Sequence, residues 1–161
     1  MPYLLDSDVF ISAKRDHYRM KVCPGFWDWL GKAHSSGRVY SIRKVSEELK
    51  TAGDNLSQWV KAQPASFFIG PGAGFGTASV AVSNWVQAQK YSVAAVSEFF
   101  SVSDYWLVAQ ALENGCTVVT HEVPRPDSRR KIKIPDVCDG VGVVWTNPFD
   151  MLEILGALFI L

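Results

Sequence analysis

The chain has 161 residues, 48% of them apolar and 20% charged, with 16 Lys plus Arg against 16 Asp plus Glu. That length and apolar content indicate a single domain over residues 1–161 with a proper core, and exclude a disordered chain. The formal net charge of zero excludes a histone-like coat for nucleic acid while leaving room for a local basic patch.

In chain order, Tyr3-Leu4-Leu5 is a short apolar run ending at Asp6, with helical text after it. A helix opens at Cys23-Pro24, with Pro near its first turn, and Gly37 can end it. Arg38 to Ser41 reads as a second strand, Ile42 to Ala52 as an amphipathic helix and Leu56 to Ala62 as another helix. Ser66 to Ile69 is a strand or extended link, and Gly70 to Gly76 is a flexible glycine-rich loop. The loop lacks G-x-G-x-x-G spacing and no Lys-Ser/Thr follows, so it is not read as a phosphate cradle. Val80–Gln89, Val93–Phe100 and Ser103–Asn114 read as helices, the last stopped by Gly115. Thr117 to Thr120 is a buried strand, and Arg125 to Ile134 a basic, Pro-punctuated loop. Gly142 to Trp145 is the last strand and Pro148 to Leu161 a closing helix. Strands alternating with helices predict an α/β fold with a parallel sheet covered on both faces.

Cys23, Cys116 and Cys138 are odd in number and lack C-x-x-C spacing, which argues against a disulfide framework or structural zinc. The N-terminus has no positive region ahead of its short apolar run, unlike a signal peptide. The apolar C-terminus carries Glu153 and is shorter than the ~20 residues a bilayer span needs. The expectation is a soluble, cytoplasmic protein with no membrane association.

Sites in parallel α/β sheets form beyond the carboxyl ends of the strands. Asp6 and Asp8 follow the first strand there, and Glu122 follows Thr117–Thr120. Helical phase adds Glu48, beside the stripe of Ile42, Val45 and Leu49, whereas Glu47 points away. Asp104 shares a helix face with Leu107, Val108 and Ala111. Taken singly, Asp6 or Asp8 reads as a helix cap, Asp104 as a capping-box partner of Ser101, and Glu48 and Glu122 as surface acids. Converging, they repel one another, and a divalent cation offsets that repulsion; oxygen-only ligands suit Mg²⁺ or Mn²⁺. Asp127 and Asp136 are nearby substitutes for the fourth acid.

Four blocks carry a family resemblance: Leu4-Leu5-Asp6-Ser7-Asp8-Val9-Phe10-Ile11, Val45-Ser46-Glu47-Glu48-Leu49, Ser103-Asp104-Tyr105-Trp106-Leu107-Val108-Ala109-Gln110-Ala111, and Val118-Val119-Thr120-His121-Glu122. In this order they resemble a PIN domain, the nuclease fold of VapC-type toxins. The C-P-x-F-W-x-W-L segment and the block Lys133 to Cys138 resemble a less characterised PIN-like subgroup among bacterial toxin–antitoxin-like genes. The resemblance implies a three-layer α/β/α sandwich around a mainly parallel sheet and metal-dependent endoribonuclease cleavage of single-stranded RNA. It places Asp6, Glu48, Asp104 and Glu122 in the catalytic metal site; Asp8 and Asp127 are further candidate ligands by their position in the chain, not by the resemblance. It also implies a cognate antitoxin, a small DNA-binding protein, that would cover the acids. Asp8 departs from the family's Asn, and Glu122 from the commoner Asp.

Substrate phosphates need cations. Arg125, Arg129, Arg130, Lys131 and Lys133 follow Glu122, while Lys14 and Arg15 could form the opposite rim. Stacking of a base on Tyr105 or Trp106 is a further option. His121 tempts as a general base, but strand alternation puts it opposite Glu122 and favours a structural role. Two other readings stand beside the nuclease. A haloacid-dehalogenase-like phosphatase would use Asp6 as nucleophile, Asp8 as acid, and Asp136 and Asp139 as metal acids. A catalytically inactive PIN-like module would only bind a partner. The final helix and the helix near Trp27 and Trp29 are candidate docking or homodimer surfaces.

Overall fold

The strands are short: β1 (Tyr3–Leu5), β2 (Val39–Ile42), β3 (Phe68–Ile69), β4 (Thr117–Val119) and β5 (Trp145–Thr146). A computed structural model describes residues 1–160 and joins these strands in one sheet ordered β3-β2-β1-β4-β5. Every pairing is parallel, with Leu4 set between Tyr40 and Val118, and Val119 opposite Thr146. The helices are α1 (Ser7–Ser12), α2 (Pro24–Ser35), α3 (Arg43–Lys50), α4 (Asn55–Ala62), α5 (Phe75–Ala88), α6 (Val93–Ser101), α7 (Ser103–Asn114), α8 (Ile134–Val141) and α9 (Pro148–Ile154). The expected three-layer α/β/α architecture is present. Helix α2 packs on β2 and α3 on α4, while α5, α6 and α8 gather around α7, which lies on β2 and β4. No helix among the described residues is long and apolar enough to cross a membrane.

Central strands read as continuous apolar text because both faces are covered. Leu4, Leu5, Val118 and Val119 are completely buried. Phe10 extends this core into an aromatic cluster, with ring centroids 6.0 Å from Trp59 and 6.3 Å from Phe67. The sheet order has one switch point. From β1 the chain moves outward to β2 and β3, then returns to add β4 and β5 on the other side of β1. A crevice beyond the carboxyl ends of β1 and β4 follows from that order.

Several boundaries differ from expectation. Helix α8 replaces what reads as loop and uncommitted text; Pro135 in its first turn fits the helix start. A π-helical turn, Ala13–His17, extends α1. The closing helix stops at Ile154 because Gly156 takes a left-handed conformation (φ 67°). Met151 and Leu152 are buried as expected of a closing helix, but Ile154, Leu158 and Ile160 are exposed. Leu161 lies outside the described residues. The glycine-rich segment is a largely exposed loop, with close side-chain approaches at two of its glycines. A Cβ on Gly70 would lie 2.5 Å from an Arg43 guanidinium nitrogen, and one on Gly72 2.5 Å from Glu113 Oε1. Its glycines permit close approach to α3 and α7.

Candidate active site

The crevice at the switch point collects carboxylates from four segments. Asp6 ends β1 and caps α1, its Oδ1 accepting from Ser7 N at 2.7 Å. Asp8 lies in the first turn of α1 and accepts from the His121 backbone N–H through both oxygens, at 3.2 and 3.1 Å. The buried Thr120 hydroxyl lies 2.9 Å from Asp6 Oδ2 and 3.2 Å from Asp8 Oδ2. The same oxygen accepts from Glu122 N at 3.1 Å. One hydroxyl carries one hydrogen, so it serves only one of the two carboxylates at a time. The other is left with its backbone N–H partner, Ser7 N for Asp6 or His121 N for Asp8.

Glu48 reaches from α3 to the start of α7. Its Oε1 accepts from Ser103 N at 2.9 Å and its Oε2 from the Ser103 hydroxyl at 3.0 Å. Glu47 pairs with Lys44 on the solvated side, as helical phase requires. The alternative capping box with Ser101 does not form: Ser101 donates back to Glu98 O, and Glu48 caps α7 from outside. That cap carries Asp104, the next residue, into the crevice. Glu122 is held by Ile134 N at 2.9 Å and lies 3.7 Å from Lys133 Nζ. A cavity of about 80 Å³ opens here, lined among others by Glu98, Asp104, Glu122, Lys131 and Lys133.

Burial pushes the Asp6 carboxyl well above the usual range, with repulsion from Asp8, Asp104 and Glu122 adding to it and the Thr120 hydrogen bond opposing it. Burial raises Asp104 to about 7, assisted by the charges of Glu122, Glu48, Asp8 and Glu98. Glu122 is raised by burial, against the pull of Ile134 N–H and Lys133. These acids are close enough to repel. Yet among the described residues no three His, Cys, Asp or Glu are already gathered in a metal-holding group. Oxygen-only donors, one shared hydroxyl and a charge excess facing Lys131 and Lys133 fit a hard divalent cation.

The other expected residues are distributed unevenly. Lys131 and Lys133 reach the cavity, as expected of the basic loop. Arg129 turns back to Pro126 O and Ser128 O, and Arg125, Arg130 and Asp127 are exposed. Lys14 is engaged by Asp54 at 2.8 Å and Arg15 by Asp16. Asp136 and Asp139 hold Arg125 N and Trp145 Nε1, structural duties that do not favour a phosphatase assignment. The Tyr105 hydroxyl donates to Ser79 O, and Trp106 stacks on Phe75 beneath Lys44. His121 is half-buried, with its pKa lowered by burial. Its ring lies 5.5 Å from that of His17. Sequence reasoning missed Glu98, which carries only a helical acid's signature, and the bridging role of Thr120. The Thr-x-acid text Thr120-His121-Glu122 at a strand end is the available signal.

No curated protein and no solved structure matches the chain significantly. A family model described as a domain of unknown function (DUF4411) matches residues 3–159, and the chain belongs to that family.

Proposed function

We propose that this protein is a metal-dependent endoribonuclease cutting single-stranded RNA, the toxin of a bacterial toxin–antitoxin pair. The supporting observation is Asp104: a carboxyl raised to about 7 among Glu122, Glu48, Asp8 and Glu98 at the switch point. Functional sites are where such unfavourable charge crowding persists. Asp6, Asp8 and Asp104 would hold Mg²⁺ or Mn²⁺, with Glu48 and Glu122 beside them. When bound, the ion supplies Lewis acidity toward a phosphodiester oxygen and makes water a better nucleophile at neutral pH.

The chain's own residues do the rest. Glu48 positions Asp104 by fixing Ser103, and Thr120 holds Asp6 and Asp8 in register. Lys131 and Lys133 offer ammonium groups to the substrate phosphate across the cavity. Carboxylate oxygens that no backbone N–H engages can orient water for attack. An antitoxin would cover this crevice. The groove of about 350 Å³ lined by Val22, Trp29, Leu158, Phe159 and Ile160 is its candidate anchor. The test is cleavage of a single-stranded RNA with and without Mn²⁺. Asp104→Asn should fold yet lose at least ~100-fold in rate, the scale on which removing one catalytic group acts. Full metal-dependent activity in the folded variant would remove the assignment.

A further inference from the structure

Beside the carboxylates lies a second feature that the cleavage chemistry does not use. His17 ends the π-helical turn after α1, His121 follows β4, and Phe149 lies in the first turn of α9 after β5. Three segments thus deliver three rings to the carboxyl edge of the sheet. The ring centroids of His17 and His121 lie 5.5 Å apart, those of His17 and Phe149 5.2 Å, and those of His121 and Phe149 5.5 Å. The cluster is open to solvent: His17 is exposed and Phe149 is 46% exposed. It is tied to the acid cluster, because His121 N donates to both oxygens of Asp8.

The three rings pack on one another, and two of them present aromatic surface to solvent. A phosphate is a poor occupant. Asp8 lies alongside, Asp150 follows Phe149, and the neighbouring cations Lys14 and Arg15 are paired with Asp54 and Asp16. A flat, uncharged heterocycle suits the site on both counts. Tyr105 and Trp106, the aromatics that follow Asp104, are occupied by Ser79, Phe75 and Lys44. We infer that His17, His121 and Phe149 form a stacking shelf for one unpaired nucleobase of the substrate, beside the scissile phosphate. The shelf rests on the ribonuclease reading. It deepens that reading by giving a physical reason for single-strand preference, since a paired base offers no free face to stack.

The experiment measures binding of a fluorescent single-stranded RNA hexamer by anisotropy, in an Asp104→Asn background that prevents cleavage. An abasic ribose-phosphate hexamer serves as the comparison. Stacking is worth about 1–3 kcal/mol per base, so Phe149→Ala and His17→Ala should each weaken hexamer binding roughly 5- to 150-fold. Abasic binding should stay unchanged, and Phe149→Tyr should retain the affinity that Phe149→Leu loses. In cleaving protein the same substitutions should raise KM with little change in kcat. Equal affinity of Phe149→Ala and the unsubstituted ring for the hexamer, with His17→Ala also unaffected, overturns the shelf and leaves the nuclease reading standing. Equal losses for the base-bearing and abasic hexamers also overturn it. Failure to bind any hexamer overturns both.

Discussion

Two aspartates stand near the starts of helices and meet opposite fates. Asp54 caps α4, accepting from Ser57 N at 2.9 Å while Lys14 Nζ reaches its other oxygen at 2.8 Å. The Lys14 hydrogen bond holds its carboxyl below the usual range. Asp104 lies in the first turn of α7, and burial with four neighbouring acids holds its carboxyl near 7. A helix dipole favours both anions alike, so it does not separate the two cases. Neighbours decide. Asp54 has a cation and a backbone donor; Asp104 has carboxylates, and the donor at its helix start is already taken by Glu48. One acid serves the fold and the other strains it.

The sharpest way to break that contrast is Asp104→Asn, measured for stability as well as activity. Without divalent ions at pH 8 the variant should be more stable than wild type by roughly 1–3 kcal/mol, discounted because the residue is only half-buried. The sign follows from linkage. Below the ordinary aspartate value near 3.9 the carboxyl is protonated folded or unfolded, so no penalty exists. The penalty grows as pH rises toward about 7 and is full above it. Thermal melts at pH 8 and pH 3.5 should therefore show the gain at the first and none at the second. A lower Tm for Asp104→Asn at pH 8 would mean the carboxylate is satisfied after all.

Adding Mn²⁺ should erase the penalty in the wild-type protein. A hundredfold excess over Kd stabilises by about 2.7 kcal/mol. Melting curves with Mn²⁺ and with EDTA should differ accordingly at pH 8. The difference should shrink as pH falls below about 7, because protons compete for Asp6 and Asp104. Asp6→Asn and Asp104→Asn should each abolish most of the shift, whereas Asp54→Asn should leave it intact.

How far the sequence reaches is visible in the same two residues. Strand and helix periodicity located Asp6, Asp8, Glu122 and Asp104 at the correct edge of the sheet, because period and strand order dictate which ends point there. Phase also separated Glu48 from Glu47. What phase cannot supply is the contact across 55 residues that lets Glu48, rather than Ser101, cap α7 at Ser103. Lys14 is a similar case: nothing local says that Asp54, 40 residues on, will engage it. Helix α8 was missed because eight residues containing Pro and Gly carry weak helical propensity, and its packing supplies the rest.

That packing offers a smaller, structural test. Gly140 in α8 lies against the Trp85 indole, which occupies the space a Cβ would need. Helix propensity alone favours Ala over Gly by about 1 kcal/mol. Overpacking costs about 1–3 kcal/mol and should win, so Gly140→Ala should lower the urea midpoint. Because Ile134 of the same helix anchors Glu122, the variant should also lose some cleavage. The Mn²⁺ shift, which depends on Asp6 and Asp104, should survive.

The smallest effects belong to Asp54. Asp54→Ala removes the α4 cap and should lower Tm by roughly 2–4 °C, while Asp54→Asn keeps an acceptor for Ser57 N and should change Tm less. The pH dependence runs opposite to that of Asp104. A carboxyl whose folded pKa is lowered stabilises above its ordinary value, and that contribution disappears as pH falls through the folded value. The Tm gap between wild type and Asp54→Asn should thus be present at pH 7, narrow in acid below pH 4, and narrow again in high salt, which screens the Lys14 pair. RNA cleavage should be unchanged, since the side-chain partners of Asp54 are Lys14 and the α4 start, and it does not line the crevice. Faster cleavage in Asp54→Ala would reverse that conclusion: it would mean that releasing Lys14 gives the substrate a cation, and that this ion pair, like the crowding around Asp104, governs activity rather than the fold.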